Sequence, residues 1–189
     1  MNIYSNTKFF EYCLNWKGIL IEPHPEKFKL LKTNRPNNLL FNDLVSCSSE
    51  KLNYRYFTDG FSAVSGIENT LPENHFTNYF DNSLIINNHE QNIKIIKPKT
   101  LTEIVKSTNF KHINLLVLDV EGHEYEVLLS WDFLIPIDII LMETLEFNEQ
   151  KNQMCRDILI TNNYSFIKKC HHNEIFALNS YIHNNDLHL

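Results

Sequence analysis

The residues best placed to do chemistry lie in Leu115 to Leu128, which reads LLVLDVEGHEYEVL. Asp119, Glu121 and Glu124 crowd around Gly122 in that run. Adjacent carboxylates are costly unless a cation, a proton or a hydroxyl-bearing ligand is near. Such a group can act as a general base, bind a divalent metal or bind a sugar hydroxyl. Two of the acids have simpler explanations, Glu124 as a first-turn helix acid and Glu121 as a loop residue. Asp119, directly after an apolar run, is the hardest to explain that way. His123 reads as exposed rather than as a ligand. A further acid, Glu22, follows Ile19-Leu20-Ile21 and precedes Pro23-His24-Pro25. A carboxylate there can accept two hydrogen bonds from the vicinal hydroxyls of a ribose, or simply face the next helix dipole. Asp43, after Leu39-Leu40-Phe41 and Asn42, can cap an adenine amine, with a plain turn residue as the simpler reading.

These acids depend on the elements that carry them. Ile113 to Leu118 is an apolar run suited to a strand buried on both faces. After Gly122, which tolerates any backbone conformation, Tyr125, Leu128 and Leu129 fall at helical spacing. Strand, acidic tip and helix follow one another, and ligands of open α/β sheets sit at such strand ends. Upstream, Phe9, Phe10, Cys13 and Leu14 predict a helix over Lys8 to Asn15, capped by Ser5 or Asn6. Ile19 to Ile21 predicts a strand, and Pro25 the first turn of a helix striped with Phe28, Leu30 and Leu31. Leu39 to Phe41 is the next strand. This β-α-β rhythm implies parallel strands.

Residues 52–92 change character. Leu52, Tyr54 and Tyr56 alternate as in an antiparallel strand, Asp59-Gly60 and Ser65-Gly66 mark turns, and Glu68 to Gln91 has no period. The segment reads as an insertion or lid whose aromatic residues stack on a ligand or cover the core. Ile93 to Ile96 is a strand, and Thr100 with Glu103 forms a capping box. Ile137 to Leu141 is another buried strand ending in Glu143 and Thr144. A helix is expected from Gln150 to Thr161 with Met154, Ile158 and Leu159 inward, then an antiparallel closing pair, Tyr164 to Lys168 and Ile175 to Leu178. His171-His172 falls in its turn, with little prospect of metal binding, and the tail from Tyr181 is expected to fray.

The chain has 189 residues, 43% hydrophobic and 21% charged, which suits a single domain over 1–189. A net charge of −6 disfavours a nucleic-acid partner. No run of about 18 apolar residues predicts a membrane span, and the start lacks the layout of a signal peptide. Cys13, Cys47, Cys155 and Cys170 form no CxxC pair, as expected of reduced and mostly buried thiols in a cytoplasmic protein.

Ile-Glu-Pro-His-Pro (21–25), Leu-Asp-Val-Glu-Gly-His-Glu (118–124) and Met-Glu-Thr (142–144), in this order, resemble the FkbM-type methyltransferases. Ser-Asn-Thr-Lys-Phe-Phe-Glu (5–11) and Trp-Lys-Gly-Ile-Leu-Ile-Glu-Pro (16–23) are similar to that family as well, and the likeness runs from 5 to 178. The resemblance implies a Rossmann-like α/β fold with a mostly parallel sheet, helices on both faces and the antiparallel closing pair. It implies S-adenosylmethionine as cofactor and an O-methyl transfer to a sugar or small-molecule hydroxyl. Glu22 would sit on the cofactor ribose, Asn42 and Asp43 near the adenine, and Asp119 between cofactor and substrate. Glu121 and Glu124 belong to the same signature and are expected at the catalytic tip, with no metal. The family also has a first strand and a V-G-A-N-x-G loop upstream of the Ser-Asn-Thr helix, whereas here Met1 lies four residues before Ser5. The expectation is a sheet short of that strand, through a late start codon, a split gene or a decayed copy, open to a strand-supplying partner or an oligomer. Two other functions compete: a degenerate methyltransferase fold serving as a binding module, and a metal-dependent hydrolase built on the acidic tip.

Overall fold

Residues 5–58, 61–144 and 148–185 are described by the computed structural model, and the chain divides into two units after Leu44. In the first unit, α1 (Lys8–Leu14) ends at Asn15, whose φ of 55° is left-handed. The predicted caps are used differently. Thr7 occupies the N-cap position without a side-chain cap bond, because its hydroxyl and that of Ser5 accept from the Arg35 guanidinium at 2.9 and 3.3 Å. Buried Arg35 also pairs with Glu11, tying α1 to the end of α2 (Pro25–Asn34). Pro25 stands in the first turn of α2, as the sequence predicts. The buried His24 caps it, its Nδ1 accepting from the backbone N–H of Glu26 and Lys27. α2 connects β1 (Ile19–Ile21) to β2 (Leu39–Phe41), which pair in parallel with Ile21 opposite Phe41.

The second unit holds two sheets. The first is antiparallel, in the order β4 (Gly66–Ile67), β3 (Leu52–Phe57), β5 (Gln91–Ile96). A 3-10 turn, Ser62–Val64, precedes β4. After β4 the chain runs through α3 (Glu73–His75) directly into a π-turn, Phe76–Phe80, and then α4 (Ser83–Asn88). The expected insertion therefore has its own core. Phe57, Leu71 and Phe80 are buried together under Phe61, Val64, Phe76, Tyr79 and Ile85, and the rings of Phe57 and Phe80 stack at 5.0 Å. Each fully buried Phe contributes about 1.5–3 kcal/mol, so this segment is ordered by its aromatics despite a polar sequence. The Asp59-Gly60 turn lies outside the described residues.

Beyond it come α5 (Leu101–Lys106), with the predicted capping box between Thr100 and Glu103, then β6 (Ile113–Leu118), α6 (Glu124–Leu129) and β7 (Ile137–Glu143). The chain continues through α7 (Glu149–Thr161), β8 (Tyr164–Cys170), β9 (Asn173–Leu178) and α8 (Asn179–Asn184). The second sheet runs β6-β7-β9-β8. Its first pair is parallel and joined through α6, and the other two are antiparallel. His171-His172 forms the β8–β9 turn as expected.

Four expectations are corrected here. The sheets are partly antiparallel: among the described residues the strand pairs β1–β2 and β6–β7 are parallel, both across an intervening helix, an isolated parallel bridge joins Val45 and Lys99, and the other strand pairs are antiparallel. A tight hairpin such as β8–β9 can only be antiparallel. β6 is not buried on both faces. Among its residues only Leu118 is buried, because β6 is the edge of its sheet and no strand among the described residues pairs with its other side. On α6 the inward apolar residues are Val127 and Leu128, while Leu129 is exposed. The helix starts at Glu124, whose carboxyl turns inward and sets the phase. α7 shows the same kind of shift, burying Cys155 and Leu159 and leaving Met154 outward. No helix among the described residues is long and apolar enough to cross a membrane.

Candidate active site

The backbone at the tip of β6 takes a shape that few sequences allow. Glu121 and Gly122 both have positive φ, 56° and 93°, so Gly122 is not alone in leaving the ordinary regions, and a glutamate there is strained. At Gly122 a Cβ would stand 2.9 Å from the Thr70 carbonyl oxygen and 3.0 Å from Pro72 Cδ. Only glycine permits both the conformation and that approach. The loop is closed from within by buried Glu124, whose Oε1 accepts from the N–H groups of Val120 at 3.1 Å and Gly122 at 3.3 Å. Burial pushes the Glu124 carboxyl up, opposed by these backbone bonds and by Lys151. Lys151, from α7, donates to the Gly122 carbonyl at 2.5 Å and pairs with Glu126 at 2.8 Å, holding the loop from the other side.

The parallel register places Leu118 opposite Met142, so the acids that follow, Asp119 and Glu143, end neighbouring strands. Glu143 is pushed up to about 8, first by burial and then by the negative fields of Asp119, Glu121 and Glu124. It keeps its proton at neutral pH. Its Oε2 is buried without a hydrogen-bond partner among the described residues. Asp119, by contrast, is exposed. The cluster thus includes a neutral carboxyl, Glu143, which both donates and accepts hydrogen bonds.

The insertion contributes to this site. Thr70 Oγ1 lies 2.8 Å from His123 Nδ1, and His75 Nδ1 lies 3.7 Å from Glu121 Oε2. His123 is therefore not exposed, as its sequence context suggests, but 2% accessible. Burial lowers its pKa to about 4, against the opposing pull of Glu126. Its Nε2 has no hydrogen-bond partner among the described residues. Thr70 and His75 are residues that the sequence does not single out, and Glu143 is named there as a strand-end acid but not as a site residue. Glu143 at least stands at the end of an apolar run, whereas Thr70 and His75 lie in the stretch without periodicity.

The other predicted residues lie in the first unit, at the end of the β1–β2 pair. The Glu22 N–H donates to the Phe41 carbonyl at 2.9 Å, and Asn42 Nδ2 donates to the carbonyls of Glu22 at 2.7 Å and Pro23 at 3.4 Å. Glu22 and Asn42 are thus brought together, with half-buried Asp43 next in the chain. Glu22 Oε1 accepts from the His24 N–H at 2.9 Å, which fixes the direction of its carboxyl. Burial raises the pKa of Glu22, opposed by that bond and by Lys27. A half-buried carboxyl with a fixed rotamer at a parallel strand end fits the vicinal hydroxyls of a nucleoside. Among the described residues no group of three or more His, Cys, Asp or Glu side chains is arranged to hold a metal ion.

Compared with known proteins, residues 1–180 match the profile of the methyltransferase FkbM domain. No curated protein and no solved structure matches the chain.

Proposed function

The chain belongs to the methyltransferase FkbM domain family, and from that premise we propose that it is an S-adenosylmethionine-dependent O-methyltransferase acting on a hydroxyl of a sugar or small molecule. The observation that carries the choice of acceptor is the protonated Glu143 among Asp119, Glu121 and Glu124. A hydroxyl both donates and accepts hydrogen bonds, and so does that neutral carboxyl.

When bound, the cofactor supplies a methyl group already activated by a positive sulfonium. The chain's tasks are alignment and proton handling. Glu22 would accept from the ribose hydroxyls, with Asn42 and Asp43 bordering the adenine. Asp119, exposed at the tip, would orient the acceptor hydroxyl, beside Glu121 and Glu143. Glu124 acts on the backbone that carries them. The Rossmann-like reading of the fold rests on the two β-α-β units, β1-α2-β2 and β6-α6-β7.

Calorimetric titration with S-adenosylmethionine tests this reading. Binding is expected, and Glu22→Gln is expected to weaken it about 10- to 100-fold, the equivalent of charge-assisted hydrogen bonds worth about 1.5–3 kcal/mol. No heat from the wild type would overturn it. A second reading, a non-catalytic binding module, is favoured by the edge of β6, which no strand among the described residues pairs. It predicts no methyl transfer to any hydroxyl, and pairing of that edge with a partner's strand.

A further inference from the structure

His75 belongs to the lid rather than to the strand-end signature, yet its ring is held at the acidic tip. It is 7% exposed. Its Nε2 lies 2.9 Å from the Val64 carbonyl oxygen. A carbonyl can only accept, so Nε2 carries the proton. Burial lowers the pKa of the ring, which is therefore neutral at pH 7. In the neutral tautomer so fixed, Nδ1 is a bare lone pair. The charged group facing it is Glu121, with Oε2 at 3.7 Å, beyond hydrogen-bond distance. Tyr79 and Phe80 pack on the ring at 5.0 and 6.4 Å and hold its orientation. The Thr70–His123 hydrogen bond and the close approach of Thr70 and Pro72 to Gly122 dock the same segment on the same loop.

Nδ1 of His75 thus presents an acceptor lone pair beside the Glu121 carboxyl. The ligand group that suits Nδ1 is a donor. We propose that Nδ1 of His75 is the base that takes the proton from the acceptor hydroxyl, with Glu121 stabilising the imidazolium that results. The assignment deepens the methyl-transfer reading and rests on it. The O–H proton passes to Nδ1 while the hydroxyl oxygen's electron pair forms the bond to the methyl carbon. The carbon–sulfur bond of the donor breaks, its electron pair staying on sulfur. The products are a methyl ether, a neutral thioether and a protonated His75, which returns its proton to water. The tip carboxylates fit the task less well. Glu143 already holds a proton, Glu124 accepts from the loop backbone, and Asp119 is exposed to water. A neutral imidazole also becomes a cation beside an anion during the reaction, so Glu121 attracts the transition state more than the ground state.

Two measurements decide the assignment. Nitrogen-15 NMR of the full chain, without any ligand, reads the tautomer. At pH 7 His75 should show a protonated Nε2 and a bare Nδ1, and the reverse tautomer or a charged ring would overturn the proposal. Turnover is then followed with methyl-labelled S-adenosylmethionine and the methyl glycosides of glucose, mannose, fucose and rhamnose as acceptors. His75→Gln should lower kcat by about 100-fold or more, with the KM for the donor held within about threefold. His75→Ala should regain part of its rate with added imidazole, which a purely structural role does not predict. Wild-type turnover that His75→Gln retains, or an alanine variant unmoved by imidazole, refutes the base assignment alone. No turnover by the wild type on any of these glycosides refutes the methyl-transfer reading and the assignment with it.

Discussion

Replacing Gly122 by alanine probes the contact between the lid and the acidic tip at its tightest point. The backbone there has a φ of 93°, and holding a side-chain-bearing residue in such a conformation costs about 1–3 kcal/mol. The added Cβ would stand 2.9 Å from a backbone carbonyl oxygen and 3.0 Å from the Pro72 ring, neither of which is a flexible side-chain end. Overpacking of this kind costs about 1–3 kcal/mol more. Relief is available if the Thr70–Pro72 segment lifts away. That movement breaks the Thr70–His123 hydrogen bond and leaves a buried ring nitrogen unsatisfied, again about 1–3 kcal/mol. Both routes lead to a loss of about 2–6 kcal/mol. With a urea dependence of about 1–3 kcal/mol per molar, the unfolding midpoint followed by circular dichroism should fall by about 1 M or more. Gly18→Ala is the matched control, since its Cβ would meet only Asn38 Oδ1 at an ordinary 3.5 Å. A Gly122→Ala midpoint within about 0.3 M of wild type, on that same scale, would refute the packing described here.

Other consequences can be checked with the same unfolding measurements. Glu143 has a folded pKa raised from 4.5 to about 8. Below pH 4.5 both the folded and unfolded carboxyls are protonated, and between there and pH 8 only the folded one keeps its proton. Stability is therefore lost as pH rises through this window, at no more than about 1.4 kcal/mol per pH unit and less for a group partly in contact with water. Glu143→Gln should flatten that slope and be the more stable protein at pH 8; parallel pH profiles would contradict this. Thr70→Val should destabilise by about 1–3 kcal/mol, because the buried His123 Nδ1 loses its hydroxyl partner. A neutral outcome would mean that the lid does not dock on the tip through this bond.

Local chemistry was the legible part of the chain. The apolar run before Asp119, the Thr100–Glu103 capping box, Pro25 opening α2 and the His171-His172 turn each announce themselves within a few residues, and the structure has them where expected. Contacts between distant segments were not legible. His123 looks exposed beside its sequence neighbours, and it is buried because Thr70 and Pro72 arrive from a segment with no periodicity. Glu143 is visible as a strand-end acid. Its raised proton affinity, however, requires the register that puts Met142 opposite Leu118, and one sequence does not reveal strand pairing. The same limit explains the sheet. The apolar runs were identifiable as strands, but β6 stands at an edge and β9 docks antiparallel on β7, so the expectation of a mostly parallel, fully buried sheet was not met. The aromatics of 52–92 allowed either ligand stacking or core packing, and Phe57 and Phe80 are core.

Methyl transfer itself remains the decisive observable. Wild-type protein incubated with methyl-labelled S-adenosylmethionine and a panel of sugar and small-molecule hydroxyls should pass label to the hydroxyl oxygen. Asp119→Asn should reduce that rate about 10- to 100-fold, through loss of acceptor orientation, while leaving cofactor binding measurable. Label that never leaves the donor, or that reaches the acceptor equally fast in Asp119→Asn, would contradict an acceptor site at the tip of β6.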